Sequence, residues 1–226
     1  MSAPYNIPDW EGASLDNPDD EYATMGCRTR VFKNVRNNGI NGSVGRGNLS
    51  FTSINLPRLA LIAGKGNIDK FFKLLDSKME LVHRQLQERF EVQCMRHPRN
   101  YPFLMGQGIW RGTDDLGPDD DIRDVLKNGT QTVGFIGLAE TLVALIGKHH
   151  GESEEAQELG LKIIGRMREL TDKWSDEEKM NYSVIGTPAE GLSGRFVKID
   201  AKRFGKIAGI TDRDYYTNSS HKRIVA

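Results

Sequence analysis

Apolar positions follow two rhythms along this chain, and the switches between them mark out its elements. From Asn48 to Leu56, Leu49, Phe51 and Ser53 alternate with Ser50, Thr52 and Ile54 among β-forming residues, which predicts a strand leaving a glycine-bearing loop. Pro57 then opens a new element. Between Asn67 and Phe90 the rhythm changes: Ile68, Phe71, Phe72, Leu75, Met79, Val82, Leu86 and Phe90 recur at helical intervals and predict a long amphipathic helix. Thr130 to Ile136 is a second strand by its β-forming residues, and Leu138 to Ile146, after Gly137, is apolar on most sides, as a buried helix is. Ala156, Leu159, Ile163, Met167, Leu170 and Trp174 form the stripe of a helix from Glu154 to Trp174. Asn181 to Gly186 is a third strand. The residues Thr187-Pro188-Ala189-Glu190 after it suit a capping box, with Thr187 accepting from the backbone, Glu190 reaching back and Pro188 placed where a missing N–H costs nothing. A helix from Pro188 to the region of Phe204 is the expectation.

Between these segments the pattern weakens. Residues 1–24 hold scattered prolines and an acidic run and predict a surface-loop arm. Thr29 to Phe32 is a short β-capable run, and Asn34 to Gly47 supplies turn residues throughout. Residues 97–118 are rich in proline and glycine, with Tyr101 to Leu104 as a possible short strand. Asp119-Asp120-Asp121 precedes a helix through Leu126, whose positive N-terminal end suits acidic residues. Strands followed by helices argue for an α/β protein whose parallel strands are covered by helices.

Charge narrows the choice of partners. Lysine plus arginine equal aspartate plus glutamate, 31 against 31, so no overall field favours nucleic acid or an anionic membrane. The apolar run from Val133 to Ile146 is broken by Glu140 and Thr141 and is short of a bilayer span. The N-terminus lacks the basic and apolar regions of a secretory signal, which favours the cytoplasm. Cys27 and Cys94 are too few for a disulfide framework and are expected as free thiols.

Candidate chemistry concentrates in a few places. Cys27 follows Gly26 and precedes Arg28, Thr29 and Arg30; these polar flanks set it apart from a plain core cysteine. Cys94 lies near the end of an amphipathic helix and reads as structural. The glycines at 42, 45 and 47 fit an anion-binding nest or a flexible surface loop, and match neither a P-loop nor a dinucleotide fingerprint. Thr187 to Gly194, where a strand enters a helix, exposes donors and a positive dipole end suited to phosphate, although a capping box needs no ligand. Cys94 to His97 and His149-His150 lack further ligands at matching spacing, so no metal is expected. The acidic runs at 16–21 and 114–121 lack the EF-hand pattern and read as solvated loops.

Several longer segments carry a resemblance. Met25 to Arg30, Gly45 to Arg58, Asn128-Gly129-Thr130, Gly134 to Leu138 and Thr187 to Phe196 look, in order, like successive motifs of the anaerobic, class III ribonucleoside-triphosphate reductases. The resemblance runs from Asp16 to Ser219. It implies part of a ten-stranded α/β barrel of the glycyl-radical type, with a finger loop carrying the cysteine. On that basis residues 1–24 are an N-terminal arm, 25–219 a partial catalytic barrel domain and 220–226 a tail.

By the same resemblance Cys27 takes the position of the thiyl radical and Asn48 that of the asparagine facing the ribose in members that use formate. Ser50, Thr187, Pro188, Ala189, Glu190, Gly191 and Leu192 fall in segments that would hold the ribonucleoside triphosphate. No segment resembles the family's glycyl-radical region, its zinc-binding cysteines or its N-terminal regulatory domain. The implied partners are therefore the remaining reductase polypeptide with its glycyl radical, a radical-SAM activating enzyme and a second copy in a homodimer, with formate as reductant. Two alternatives stay open: a non-catalytic nucleotide-binding remnant, and a fragment of another glycyl-radical enzyme. A formate-lyase relative would be expected to carry an adjacent cysteine pair, which this chain lacks. An incomplete barrel would leave strand edges open, so poor solubility alone is expected.

Overall fold

A computed structural model describes residues 14, 16, 23–25, 29–31, 34–36 and 45–218. Its elements follow the order β1 (Ala23–Met25), β2 (Thr29–Val31), β3 (Asn48–Asn55), α1 (Leu56–Ala63), α2 (Ile68–Cys94), a 3-10 turn at Pro98–Asn100, α3 (Arg123–Leu126), β4 (Thr130–Ile136), α4 (Leu138–Ile146), α5 (Glu154–Glu178), β5 (Asn181–Gly186) and α6 (Glu190–Phe204). The protein is thus mixed α/β.

β1 and β2 pair antiparallel, with Met25 opposite Thr29. β1 begins inside the stretch expected to be a loop arm. β3, β4 and β5 form a sheet in that order. The Thr130 amide donates to the Gly47 carbonyl at the strand starts, and the Thr187 amide to the Phe135 carbonyl at the strand ends, each at about the same level on both strands, as in parallel pairs.

The chain folds as two compact units, each assembled from three separate stretches of sequence. The first comprises residues 1–51, 84–132 and 171–183. Its core includes Leu86, Phe90, Trp110, Ile122, Trp174 and Tyr182. Trp110 donates its indole N–H to the Val125 carbonyl at 2.8 Å, and Trp174 meets Tyr182 edge to face. Buried polar side chains tie distant segments together: Asn181 Nδ2 donates to Asn34 Oδ1 at 3.1 Å, and the Arg46 Nε–H donates to the Asn128 backbone carbonyl at 2.8 Å. The expected strand at Tyr101 to Leu104 is a series of turns instead. Pro102 has no N–H to give a ladder, and the Met105 amide closes back on the Tyr101 carbonyl at 2.9 Å.

The second unit comprises residues 52–83, 133–170 and 184–226. Ile136, Val197, Ile210 and Tyr216 form a buried cluster flanked by Leu61, Val143, Leu192 and Phe196. α1 starts from Asn55, whose Oδ1 accepts from the Arg58 amide at 3.1 Å, and packs against α4. Gly137 permits that approach, because it sits at φ 83° and an added Cβ would lie 2.3 Å from Pro57 Cγ.

The sequence rhythms correspond closely to the elements. Of the expected stripe on α2, Phe71, Leu75, Met79, Val82, Leu86 and Phe90 are buried and Ile68 and Phe72 half-buried, and the helix continues to Cys94. α5 likewise runs beyond Trp174 to Glu178.

Candidate active site

The turn between β5 and α6 holds most of the expected site residues, and it is built differently from a capping box. The Thr187 amide bonds the Phe135 carbonyl at 3.0 Å, so this residue still belongs to the sheet ladder. Its Oγ1 shares a 2.7 Å hydrogen bond with Ser53 Oγ, and Thr187 is only 1% exposed. With its hydroxyl held there, Thr187 does not cap the helix. The N-cap is Ala189, without a side-chain cap, and α6 begins at Glu190.

The first bond of α6 runs from the Ser193 amide to the Ala189 carbonyl at 3.0 Å, so the amides of residues 190–192 precede the ladder. They sit at the positive end of the helix dipole, where an anion is favoured. Gly191 is exposed, with nothing within 4 Å of an added Cβ. Pro188 and Ala189 are half-buried. Leu192 packs its side chain on the core cluster, so its backbone is the part available to a ligand.

Buried polar groups support this turn from below. Ser193, fully buried, accepts from Asn218 Nδ2 at 3.1 Å. The fully buried Asp200 accepts from Asn55 Nδ2 at 2.7 Å, Arg58 Nε at 2.6 Å and the Tyr216 hydroxyl at 3.0 Å. Burial, reinforced by the Asp200 carboxylate, pushes the Tyr216 hydroxyl well above the ordinary tyrosine range. Between these residues, Thr217 donates through its amide and hydroxyl to Glu140, which is also paired with Arg213. Residues 216–218 are therefore a strap held at each position by a buried partner.

Asn48 and Ser50 belong to the first unit. Asn48 is exposed at the start of β3, so its amide can donate and accept toward a ligand without adding charge. The Ser50 hydroxyl donates to Gln131 Oε1 at 2.6 Å and keeps only its acceptor capacity. Cys27 lies outside the described residues. Cys94 is half-buried and burial pushes its thiol up, away from the reactive thiolate.

Glu140 and Asp200 went unread in the sequence. Glu140 stood there only as a break in an apolar run, and Asp200 shares the buried face of α6 with Ser193 and Val197. A charge at a core position was the available signal. The second unit also has a cavity of about 680 Å³ lined by Phe135, Leu138, Glu140, His149, His150 and Arg213 among others, and none of the expected site residues lines it. Among the described residues, no group of three His, Cys, Asp or Glu side chains could hold a metal ion, and no helix is long and apolar enough to cross a membrane.

A parallel sheet that delivers an uncapped helix start beside a supporting polar network is the framework of an α/β ligand site. The same fold is found in a crystal structure of the anaerobic ribonucleotide reductase from Thermotoga maritima with glycerol in the active site, which aligns with 78% of this chain and 27% of its own at TM-score 0.61 and 19% identity. The T. maritima enzyme in complex with dATP and CTP aligns at TM-score 0.55 and 20% identity, over 77% of this chain and 27% of its own. The family model for anaerobic ribonucleoside-triphosphate reductase matches residues 1–225, and the chain belongs to that family. It is 38% identical over 200 residues to the anaerobic ribonucleoside-triphosphate reductase of Salmonella typhimurium, covering 87% of this chain and 28% of that protein. With the reductase of Enterobacteria phage T4 the identity is 34% over 204 residues, covering 87% and 31%. The chain thus spans less than a third of the length of these curated relatives.

Proposed function

We propose that this chain is a catalytic-barrel segment of an anaerobic ribonucleotide reductase, converting ribonucleoside triphosphates to deoxyribonucleoside triphosphates together with the rest of the reductase polypeptide. The observation that carries the reading is the uncapped start of α6, directly after a parallel strand, in a segment that resembles the family's substrate-binding motif. The amides of Glu190, Gly191 and Leu192 take the substrate phosphates, with Pro188 and Ala189 shaping the approach. Asn48, exposed at the strand start, faces the ribose, and Ser50 adds an acceptor beside it.

Cys27 is the hydrogen-abstracting residue. The pairing of β1 with β2, on either side of Cys27 in the sequence, supports a finger loop within a ten-stranded barrel. A glycyl radical on the remaining part of the reductase would supply the radical character that Cys27 carries, and would recover it after each turnover. At the substrate, Cys27 takes the hydrogen of the ribose 3′ carbon and returns it to that carbon at the end of the cycle, the 2′ hydroxyl leaves as water after gaining a proton, and formate, as reductant, supplies the two electrons and the hydrogen that replace it and is released as carbon dioxide. A dry interior serves Cys27 because solvent and oxygen would quench it. The working enzyme is a cytoplasmic homodimer maintained by a radical-SAM activating partner.

Anaerobic reconstitution with the complementary part of a relative tests this. Reduction of ribonucleoside triphosphates is expected with the native chain and is lost, by several orders of magnitude, with Cys27→Ala. Equal turnover in the two would remove Cys27 from the chemistry. Nucleotide binding without turnover in the native assembly would leave a nucleotide-binding remnant.

A further inference from the structure

We infer that the hydroxyl bridge between Ser53 and Thr187, carried across Gly134, is a positioning device for the turn Thr187 to Leu192, an inference that rests on the phosphate-binding reading of that turn. Ser53 lies on β3 and Thr187 follows β5, the two strands that flank β4. Neighbouring strands stand about 4.8 Å apart, so two short hydroxyl side chains from the outer strands can meet only by lying over the middle one. They do meet, at 2.7 Å.

The residue beneath them is Gly134. A Cβ there would lie 2.1 Å from Thr187 Oγ1 and 2.7 Å from Ser53 Oγ, well inside contact distance. Gly134 is needed for space rather than for backbone freedom, since its φ is outside the left-handed region. Three separated stretches of sequence, each within a segment resembling the family's motifs, therefore converge at one point.

This geometry changes the role of Thr187. At 1% exposure, with its hydroxyl on Ser53, it does not offer that hydroxyl to a ligand. It is instead fixed twice, by its amide on the Phe135 carbonyl and by its side chain on Ser53. Those two anchors set where the chain leaves the sheet, and so the direction of the amides at 190–192. Ser53, Gly134 and Thr187 act on the substrate through the turn.

Hydrogen exchange read by mass spectrometry on the full 226-residue chain, paired with titration of each of the four ribonucleoside triphosphates, tests the device. Ser53→Ala and Gly134→Ala are expected to raise exchange in peptides covering 187–193 while leaving α5 unchanged, and to weaken nucleotide binding about three- to tenfold, the worth of one neutral hydrogen bond. Thr187→Ser, which keeps the hydroxyl, is expected to retain both properties, and Thr187→Val to lose both. Ser53→Ala alone decides the matter if Gly134→Ala fails to fold. Unchanged exchange at 187–193, a rise throughout the second unit, or unaltered affinity despite local loosening would each overturn the inference. If the native chain binds no nucleotide, the phosphate reading falls, and the exchange data alone then decide whether the bridge sets the turn.

Discussion

Asp200 is a fully buried residue held by three donors. A fully buried carboxylate is costly unless every lone pair has a partner, and here an amide, a guanidinium and a phenol supply them. The contacts also link three parts of the second unit: the end of β3, the first turn of α1 and the strap. Asp200→Asn would put an amide N–H among three donors and leave Arg58 without its counter-charge. The expected loss is about 3 kcal/mol, the low end for breaking a buried pair, because Arg58 is partly open to solvent. Tyr216→Phe removes one hydrogen bond to a charged acceptor and should cost about 2 kcal/mol. Urea unfolding of the two variants gives the comparison. A smaller loss for Asp200→Asn than for Tyr216→Phe would mean that the carboxylate is not the hub.

At the scale of elements, α4 and α6 depend on the strap. Glu140 stands in the first turn of α4 yet is 1% exposed, and its carboxylate accepts from Arg213 and from the amide and hydroxyl of Thr217. Glu140→Gln preserves the shape, but replaces one acceptor oxygen by a donor facing a guanidinium or an amide. Residues 209–218 should then open more often, with hydrogen exchange there rising about a hundredfold while α2 is unaffected, as expected for the loss of roughly 3 kcal/mol from a local opening equilibrium. An unaltered exchange pattern would mean that the strap is held mainly by Tyr216 and Asn218.

The same elements show what could be read in advance. The strands β3, β4 and β5 and the long helices were legible because their periodicities are strong and local: the α2 stripe is visible at spacings of three and four residues without knowing what covers it. The start of α6 was not, because Thr187 has the composition of a cap but its hydroxyl goes to Ser53, a partner remote in sequence. Local propensity lost to a tertiary contact. Glu140 and Asp200 were missed for a related reason: a single acidic residue does not announce a partner dozens of positions away. What the sequence did offer was a charge on an apolar face, which calls for a buried counterpart. Asn48 and Ser50 are marked only by motif resemblance, and Cys27 by its polar flanks as well as that resemblance, since no periodicity distinguishes them.

For the molecule as a whole, the outer strands of the sheet decide how the lone chain behaves. Among the described residues β3 and β5 are the outer strands of the order β3-β4-β5, and an outer strand is where backbone pairing with further strands is possible. On β3 the side chain of Phe51 is 57% exposed, an unusual position for a large aromatic residue in a strand. This chain spans only 28–31% of the relatives it matches. Expressed alone, it is therefore expected to self-associate through β3 or β5, giving a broad, concentration-dependent elution in size-exclusion chromatography. Co-expression with the complementary part of a relative should compete for those edges and yield a single discrete assembly. Phe51→Lys should suppress self-association of the lone chain, because a charge on an outer strand disfavours edge pairing. A sharp, concentration-independent monomer peak for the unmodified chain, with one cooperative melt, would show that the sheet closes without further strands and would remove the structural reason for a companion polypeptide.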